Sequence, residues 1–376
     1  MRKILSLTLA ASLLLCGCSA KETGKPAEPE PTAQQAETGI SEETSESGKV
    51  IITRIGVFSG DGGEIVQEDS THSAEMPDQN AVLCTGGEMT LSRVNVKKSG
   101  DAFDEKSAQS SGMNAAVAAA GGGIHLIDAV VTSNAAAADA LSAIGDGSKI
   151  EAANTYVVTA GAHSAGAVAL DRGEIALDGC SVASDGENAP CAVVSGSFEA
   201  KNAKLRAAKS NSLIVKGGSV SMANCEVIGA SGVLLDGGDT ASAAITLENC
   251  LFVASDETPL VMQGGSLSLT LKKQQLNGLL SVGSGELKLS LAEGSSFTGT
   301  ITADEPRKIS ISLDADSTWN VTAETEIGAI ADGNEQLLNI QSNGFTVYYD
   351  SSLAENAWLD GASVALYGGG YLVPRI

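Results

Sequence analysis

The chain has 376 residues, 46 of them acidic against 23 Lys and Arg, so its formal net charge is −23; only 3% are aromatic. A surface this acidic disfavours nucleic acid and anionic lipid headgroups as partners and supports solubility in a cell wall or envelope. Divalent cations stay open as partners.

The first element is a leader over residues 1–17, with Arg2 and Lys3 followed by the apolar run Ile4 to Leu15. A charged start and an apolar stretch too short to span a membrane are the layout of a secretory signal. Leu15-Cys16-Gly17-Cys18 resembles the bacterial lipobox, in which a small residue precedes a cysteine that is acylated and becomes the new N-terminus. The resemblance implies that Cys18 carries a lipid and that the membrane is a partner through it; an ordinary signal peptide cut nearby is the alternative. Each acyl chain contributes ~0.8 kcal/mol per buried methylene, so a multiply acylated cysteine anchors a chain without a transmembrane helix. Removing Arg2 and Lys3 with the leader takes the net charge from −23 to −25. Residues 18–49 follow as a lipidated tether, rich in Glu, Pro, Thr, Ser, Ala and Gln, with Ile40 as the exception among large apolar residues. Such a segment buries too little surface to offset its ordering entropy and is expected to be disordered.

A repeat then dominates the chain. One pattern, apolar, polar, apolar or small, any residue, turn residue, small residue, returns seven times. Its turn column reads Arg93, Asp128, Asn154, Gly179, Asn202, Asn224 and Asn249, at steps of 35, 26, 25, 23, 22 and 25 residues. Two-helix repeats need more than about thirty residues, whereas steps in the low twenties suit one coil of a β-solenoid. The stretches starting at Met89, Ile124, Ile150, Ile175, Phe198, Val220 and Ile245 align without gaps. Within them Ile124 and Leu126, Ile175 and Leu177, and Ile245 and Leu247 alternate with polar or small residues, the period of a strand with one buried face. Asn and Asp tolerate left-handed backbone at the following turn, so stacked coils are expected to carry a ladder through Asn154, Asn202, Asn224 and Asn249.

After the turn an inward position holds Val94, Ala129, Thr155, Cys180, Ala203, Cys225 and Cys250, small side chains for a narrow corner. Glycines such as Gly86-Gly87, Gly121-Gly122-Gly123 and Gly217-Gly218 precede the strands and supply a second tight turn. The 35-residue first step predicts a polar loop, Ser99 to Met113, projecting from one coil. Beyond Gly264-Gly265 the period continues through Leu267–Leu271, Leu287–Leu291 and Ile309–Leu313, with Leu at the turn position, so the corner geometry is expected to change. The count is about ten coils, a rod of roughly 50 Å at ~4.8 Å per strand.

Coil length, Asn column and Gly-rich corners together resemble a right-handed parallel β-helix of the pectin-lyase-like kind, as found in bacterial surface adhesins and autotransporter passengers. The resemblance covers approximately residues 80 to 315 and is specific for architecture, not activity. The expected fold is all-β, a right-handed single-stranded parallel β-helix over residues 50–316 with a C-terminal β-rich cap over 317–376. The stretches Ser317–Thr322 and Asn343–Tyr349 are similar to the ends of many adhesin-like solenoids. Eight of the Phe, Trp and Tyr residues lie from Phe297 onward, which suits a cap against end-to-end association. The alternative is a sugar-stacking surface on Trp319, Tyr348, Tyr349 or Trp358.

The remaining cysteines are Cys84, Cys180, Cys191, Cys225 and Cys250, an odd number, and three of them share the inward repeat position. They are expected as buried thiols acting as small hydrophobes; the alternative is a single bridge between Cys225 and Cys250, whose α-carbons should lie ~4.8 Å apart in neighbouring coils. His72, His125 and His163 show no ligand spacing, and no metal or cofactor is expected. Polysaccharide lyases and glycosidases need clustered acids with a base on one sheet face. Asp314 with Asp316, Asp236 with Asp239, Lys272-Lys273 and Arg307-Lys308 are scattered, and no acid triplet is seen to stack with a base. The expectation is an envelope-anchored, adhesin-like or scaffold lipoprotein on the outer side of the cytoplasmic membrane, or in an outer membrane if the source has one. Its rigid solenoid would bind glycans or surface proteins weakly and multivalently. The alternatives are a polysaccharide lyase or glycoside hydrolase on this fold, and a carbohydrate-binding module using the C-terminal aromatics.

Overall fold

The computed structural model describes residues 54–375, together with a strand pair at Glu43–Thr44 and Val50–Ile51. The leader, Cys18 and, apart from that pair, the tether lie outside the described residues. From Ile55 on the chain winds into an all-β parallel solenoid of about 13 turns. Each full coil contributes three short strands, and each strand pairs in parallel with its equivalents in the coils before and after. At ~4.8 Å per rung this gives a rod of about 60 Å. The expected ten coils fall short because the count ran from Met89 to Leu313. One coil built on the strand Ile55–Glu68 precedes them, and the parallel ladder runs on past residue 316, where Ala329–Asp332 stacks on Ile309–Leu313 and Thr318–Val321 on Ser296–Ala303.

The repeat pattern becomes a vertical core because the alternation points the same side chain inward in every coil. On the first sheet Met89, Ile124, Ile150, Ile175, Phe198, Val220, Ile245, Leu269, Leu289, Ile311 and Ile330 stand in register, one over another. All of them are buried. A second inward column reads Leu126, Ala152, Leu177, Ala200, Met222, and its small members lie beside bulkier neighbours. Glycine is needed where coils touch backbone to backbone: Gly218 has φ +74°, and a Cβ there would run into the carbonyl oxygen of Gly196 beneath it.

The corner between the first and second sheets is left-handed in every coil from Asp69 to Glu293. Arg93, Asp128, Asn154, Asn202, Asn224 and Asn249 have φ between 49° and 54°, and Lys273 and Glu293 continue the column at 46° and 57°. The expected change of corner geometry after Gly264-Gly265 does not occur. Leu271 and Leu291 are buried strand residues in register with Leu247, and the turn comes two residues later. A second left-handed column, Asp78, Asn114, Ala137, His163 and Asn188, marks the corner between the second and third sheets.

The loop between Ser99 and Met113 lies against the solenoid instead of projecting. It contains helix α1, Glu105–Ser111, capped by the Asp104 side chain at its start and by left-handed Gly112 at its end. Ala136 N–H donates to Asp101 Oδ1 at 2.8 Å, Arg54 Nε donates to the Ser111 carbonyl at 2.7 Å, and Gly112 packs on Ser142 and Ile144 of the third sheet. Lys98, 2% exposed, donates from Nζ to the carbonyls of Met76 and Gly100 and fixes the loop's root. At the far end Val364–Ala365 pairs antiparallel with Tyr371–Arg375, so the parallel ladder stops there.

Candidate functional site

Of the anticipated ladder one bond joins neighbouring corner residues, and Asn202 bonds a strand residue instead. Asn249 Nδ2 donates to Asn224 Oδ1 at 2.8 Å, and Asn202 Nδ2 donates to Asp178 Oδ1 at 2.9 Å. Behind them the inward position is polar in function as well as small. Thr155 Oγ1 donates to the Ala153 carbonyl, and the thiols of Cys180, Cys225 and Cys250 donate to the carbonyls of Ala152, Ala200 and Glu248 at 3.2, 3.3 and 3.3 Å. Each thiol thus adds a donor to a backbone carbonyl beside the corner; the Glu248 carbonyl also accepts from the Asn224 N–H. All five described cysteines are buried free thiols. Further along, Gln274 brackets Cys250, accepting from its N–H at 2.7 Å and donating to its carbonyl at 2.8 Å.

The C-terminal aromatics do not make a common platform. Trp319 is fully buried, stacked on Phe297 with ring centroids 6.3 Å apart, and its Nε1 donates to the Gly299 carbonyl. Tyr349 is also fully buried, its hydroxyl donating to the Ala362 carbonyl. These two are core residues and unavailable for sugar stacking, because the coil continues through their strands and turns them inward. Tyr348 lies under the Arg375 guanidinium at 4.1 Å, and Trp358 is 45% exposed with its Nε1 bonded to the Ile330 carbonyl.

The outward face of the first sheet carries a different constellation. Parallel register places Thr90, His125, Glu151, Ala176 and Glu199 in one outward column, and Asp178 and Lys201 in the next. They surround a shallow groove of about 570 Å³ in which Ala153 and Ala176 are the small outward residues. Ala176 makes the gap, since the rungs on either side bear glutamates whose α-carbons are two rungs, about 9.6 Å, apart. His125 Nδ1 contacts Glu151 at 2.9 Å and its Nε2 contacts Glu88 at 3.3 Å. Lys149 pairs with Glu151 and Lys201 with Glu199, each at 2.5 Å. The Lys149 ammonium holds the Glu151 carboxyl below its ordinary range, with His125 adding to the effect. Among the described residues no group of His, Cys, Asp and Glu is placed to hold a metal ion; Glu88 and Glu151 address opposite nitrogens of His125 and do not converge.

An acid and base cluster on one face is therefore present where scattered candidates were expected. Asp314, Asp236 and Asp239 do not line this groove, nor do Lys272, Lys273, Arg307 and Lys308. The signal lay in the polar positions between the apolar ones of the aligned repeats. Stacking the stretches from Met89 to Phe198 rung on rung would have placed Thr90, His125, Glu151, Ala176 and Glu199 side by side.

The chain matches no protein-family model and no curated protein.

Proposed function

We propose that this chain is a lipid-anchored scaffold of a bacterial envelope, adhesin-like, that binds glycan along the outward face of its first sheet. The observation that carries the reading is the groove over Ala176, where Glu151 and Glu199 stand two rungs apart on one face, each paired with a lysine of its own strand, beside the small residues Ala153 and Ala176. Sugars are recognised by such planar polar groups, which accept and donate to pairs of hydroxyls while the ring lies on small apolar residues. A rod of stacked coils presents this face over a long span, so repeated weak contacts to a polymer add up. Anchoring rests on Cys18 of the lipobox-like leader; no helix among the described residues is long and apolar enough to cross a membrane.

The second reading is a glycoside hydrolase, favoured by two glutamates, Glu151 and Glu199, facing one groove with Ala176 between them. That mechanism needs one carboxyl whose proton is held to high pH, and Glu151 is driven the other way by Lys149. A binding role fits a carboxylate that stays ionised.

A glycan array probed with the chain lacking its leader, with and without calcium, tests the reading directly. Retention of defined glycans without release of soluble product supports it, product release favours the hydrolase, and neither retention nor product refutes both. Replacing Cys18→Ala should move the full chain from the membrane pellet to the supernatant; continued pelleting refutes the lipid anchor.

A further inference from the structure

The inward corner position is occupied by thiols in two consecutive coils. Ala223 is in register with Glu248 and Glu226 with Leu251, which places Cys225 directly beneath Cys250. Consecutive parallel rungs put their α-carbons ~4.8 Å apart, inside the range a disulfide spans. Both side chains point inward at the same corner position, and each thiol donates to a backbone carbonyl beside the corner, Cys225 to Ala200 and Cys250 to Glu248. Among the described residues no other thiol competes. Ala203 occupies the same position one coil below Cys225, leaving Cys180 two rungs away, and Gln274 occupies it one coil above Cys250. Cys225 is 3% exposed and Cys250 8%, so the pair sits just under the surface, within reach of a molecule of about the size of water.

We propose that Cys225 and Cys250 are a peroxide-responsive pair that forms an inter-coil disulfide, with hydrogen peroxide as the oxidant. The Cys225 thiolate attacks one peroxide oxygen, the O–O bond breaks, hydroxide leaves, and Cys225 becomes a sulfenic acid. The Cys250 sulfur then attacks the Cys225 sulfur, the S–S bond forms, the S–O bond breaks, and hydroxide departs with the Cys250 proton as water. Two thiols and one peroxide give one disulfide and two waters, the sulfurs losing the two electrons that the peroxide gains. The neighbouring Cys250 side chain holds the Cys225 thiol below its ordinary range while Cys250 is itself held above it, which favours this order. The other three described cysteines do not share a corner position with a thiol in the next coil. Burial raises the thiols of Cys84, Cys180 and Cys191, which therefore stay protonated.

The test uses the full-length chain in its membrane, treated with hydrogen peroxide, then unfolded, alkylated and digested for mass spectrometry. The expected result is a peptide pair linked through Cys225 and Cys250, with Cys84, Cys180 and Cys191 alkylated as before and the link removed by dithiothreitol. In the Cys250→Ser chain, which keeps a hydroxyl in place of the thiol, dimedone should trap a sulfenic acid at Cys225. Recovery of Cys225 and Cys250 as alkylated as Cys180 in the treated wild-type chain, or a link from either to a different cysteine, overturns the proposal. Failure of dimedone to label Cys250→Ser at Cys225 overturns the order of the two steps.

Discussion

Replacing Asn224 tests whether the corner column is held by left-handed backbone and not by packing. Asn224 has φ 54°, and its Oδ1 accepts from Asn249 at 2.8 Å. Asn224→Ala loses that exposed hydrogen bond, about 0.5 kcal/mol at the low end of the usual range. It also faces the left-handed penalty of roughly 1–2 kcal/mol that a Cβ incurs, without the polar side chain that offsets it. The total is a destabilisation of about 2 kcal/mol. Asn224→Gly loses the same bond but escapes the steric penalty, so it should cost only about 0.5 kcal/mol. Lys273, at φ 46° with exposed ion pairs to Glu248 and Glu293 that are worth little, gives the opposite sign. Lys273→Gly should leave the protein as stable or raise stability by about 0.5 kcal/mol, since the corner is already left-handed there. Urea unfolding followed by far-ultraviolet circular dichroism reads the midpoint at constant slope. If the Gly and Ala variants at Asn224 are equally destabilised, or if Lys273→Gly is the more damaging change, backbone handedness does not govern the corner and the argument fails.

Phe198→Ala empties the largest site in the first-sheet core column, where Phe198 is 1% exposed, and should cost about 3–5 kcal/mol in the same unfolding assay; a loss under about 1 kcal/mol would mean that the neighbouring coils collapse into the space. Ala176→Leu fills the groove from an outward position, so stability should stay within about 0.5 kcal/mol of wild type while glycan retention on the array is lost; retained binding would place the ligand elsewhere. Asp139 is buried and its carboxyl is pushed up to about 7 by desolvation, against the pull of the Ala165 N–H bonded to it. The folded chain therefore holds this proton to higher pH than an unfolded chain, whose carboxyl titrates near 3.8. Its contribution to stability is complete below that value and is lost as pH rises through about 7. Asp139→Asn should flatten this decline in unfolding free energy measured between acidic and neutral pH, and an unchanged slope would show that another group is responsible.

Much of the architecture was legible because a solenoid repeats its own environment. Ile124, Ile150, Ile175 and Ile245 recur at the coil length, and Asn is one of the few residues that takes left-handed backbone readily, so its spacing reported the corner. Where the corner residue is Lys273 or Glu293 that signal vanishes, since neither type prefers the conformation; the stacked coils on both sides impose it. The second corner was hidden for the same reason, its column mixing Asp78, Asn114, Ala137, His163 and Asn188. The first coil and the last ones escaped the count because the repeat was followed only from Met89 to Leu313.

By itself the amino-acid order determined the period, the inward columns and the small thiol-bearing corner, all of which follow from local backbone preference and the alternation of a strand. Only the tertiary structure decided which outward residues meet. Glu151 and Glu199 are 48 positions apart in the chain, yet two rungs apart on one face with Ala176 between them, because register and not sequence distance sets neighbours in a stacked sheet. The same stacking turned Trp319 and Tyr349 inward, since a strand added to a parallel ladder must point its apolar side chains at the shared core.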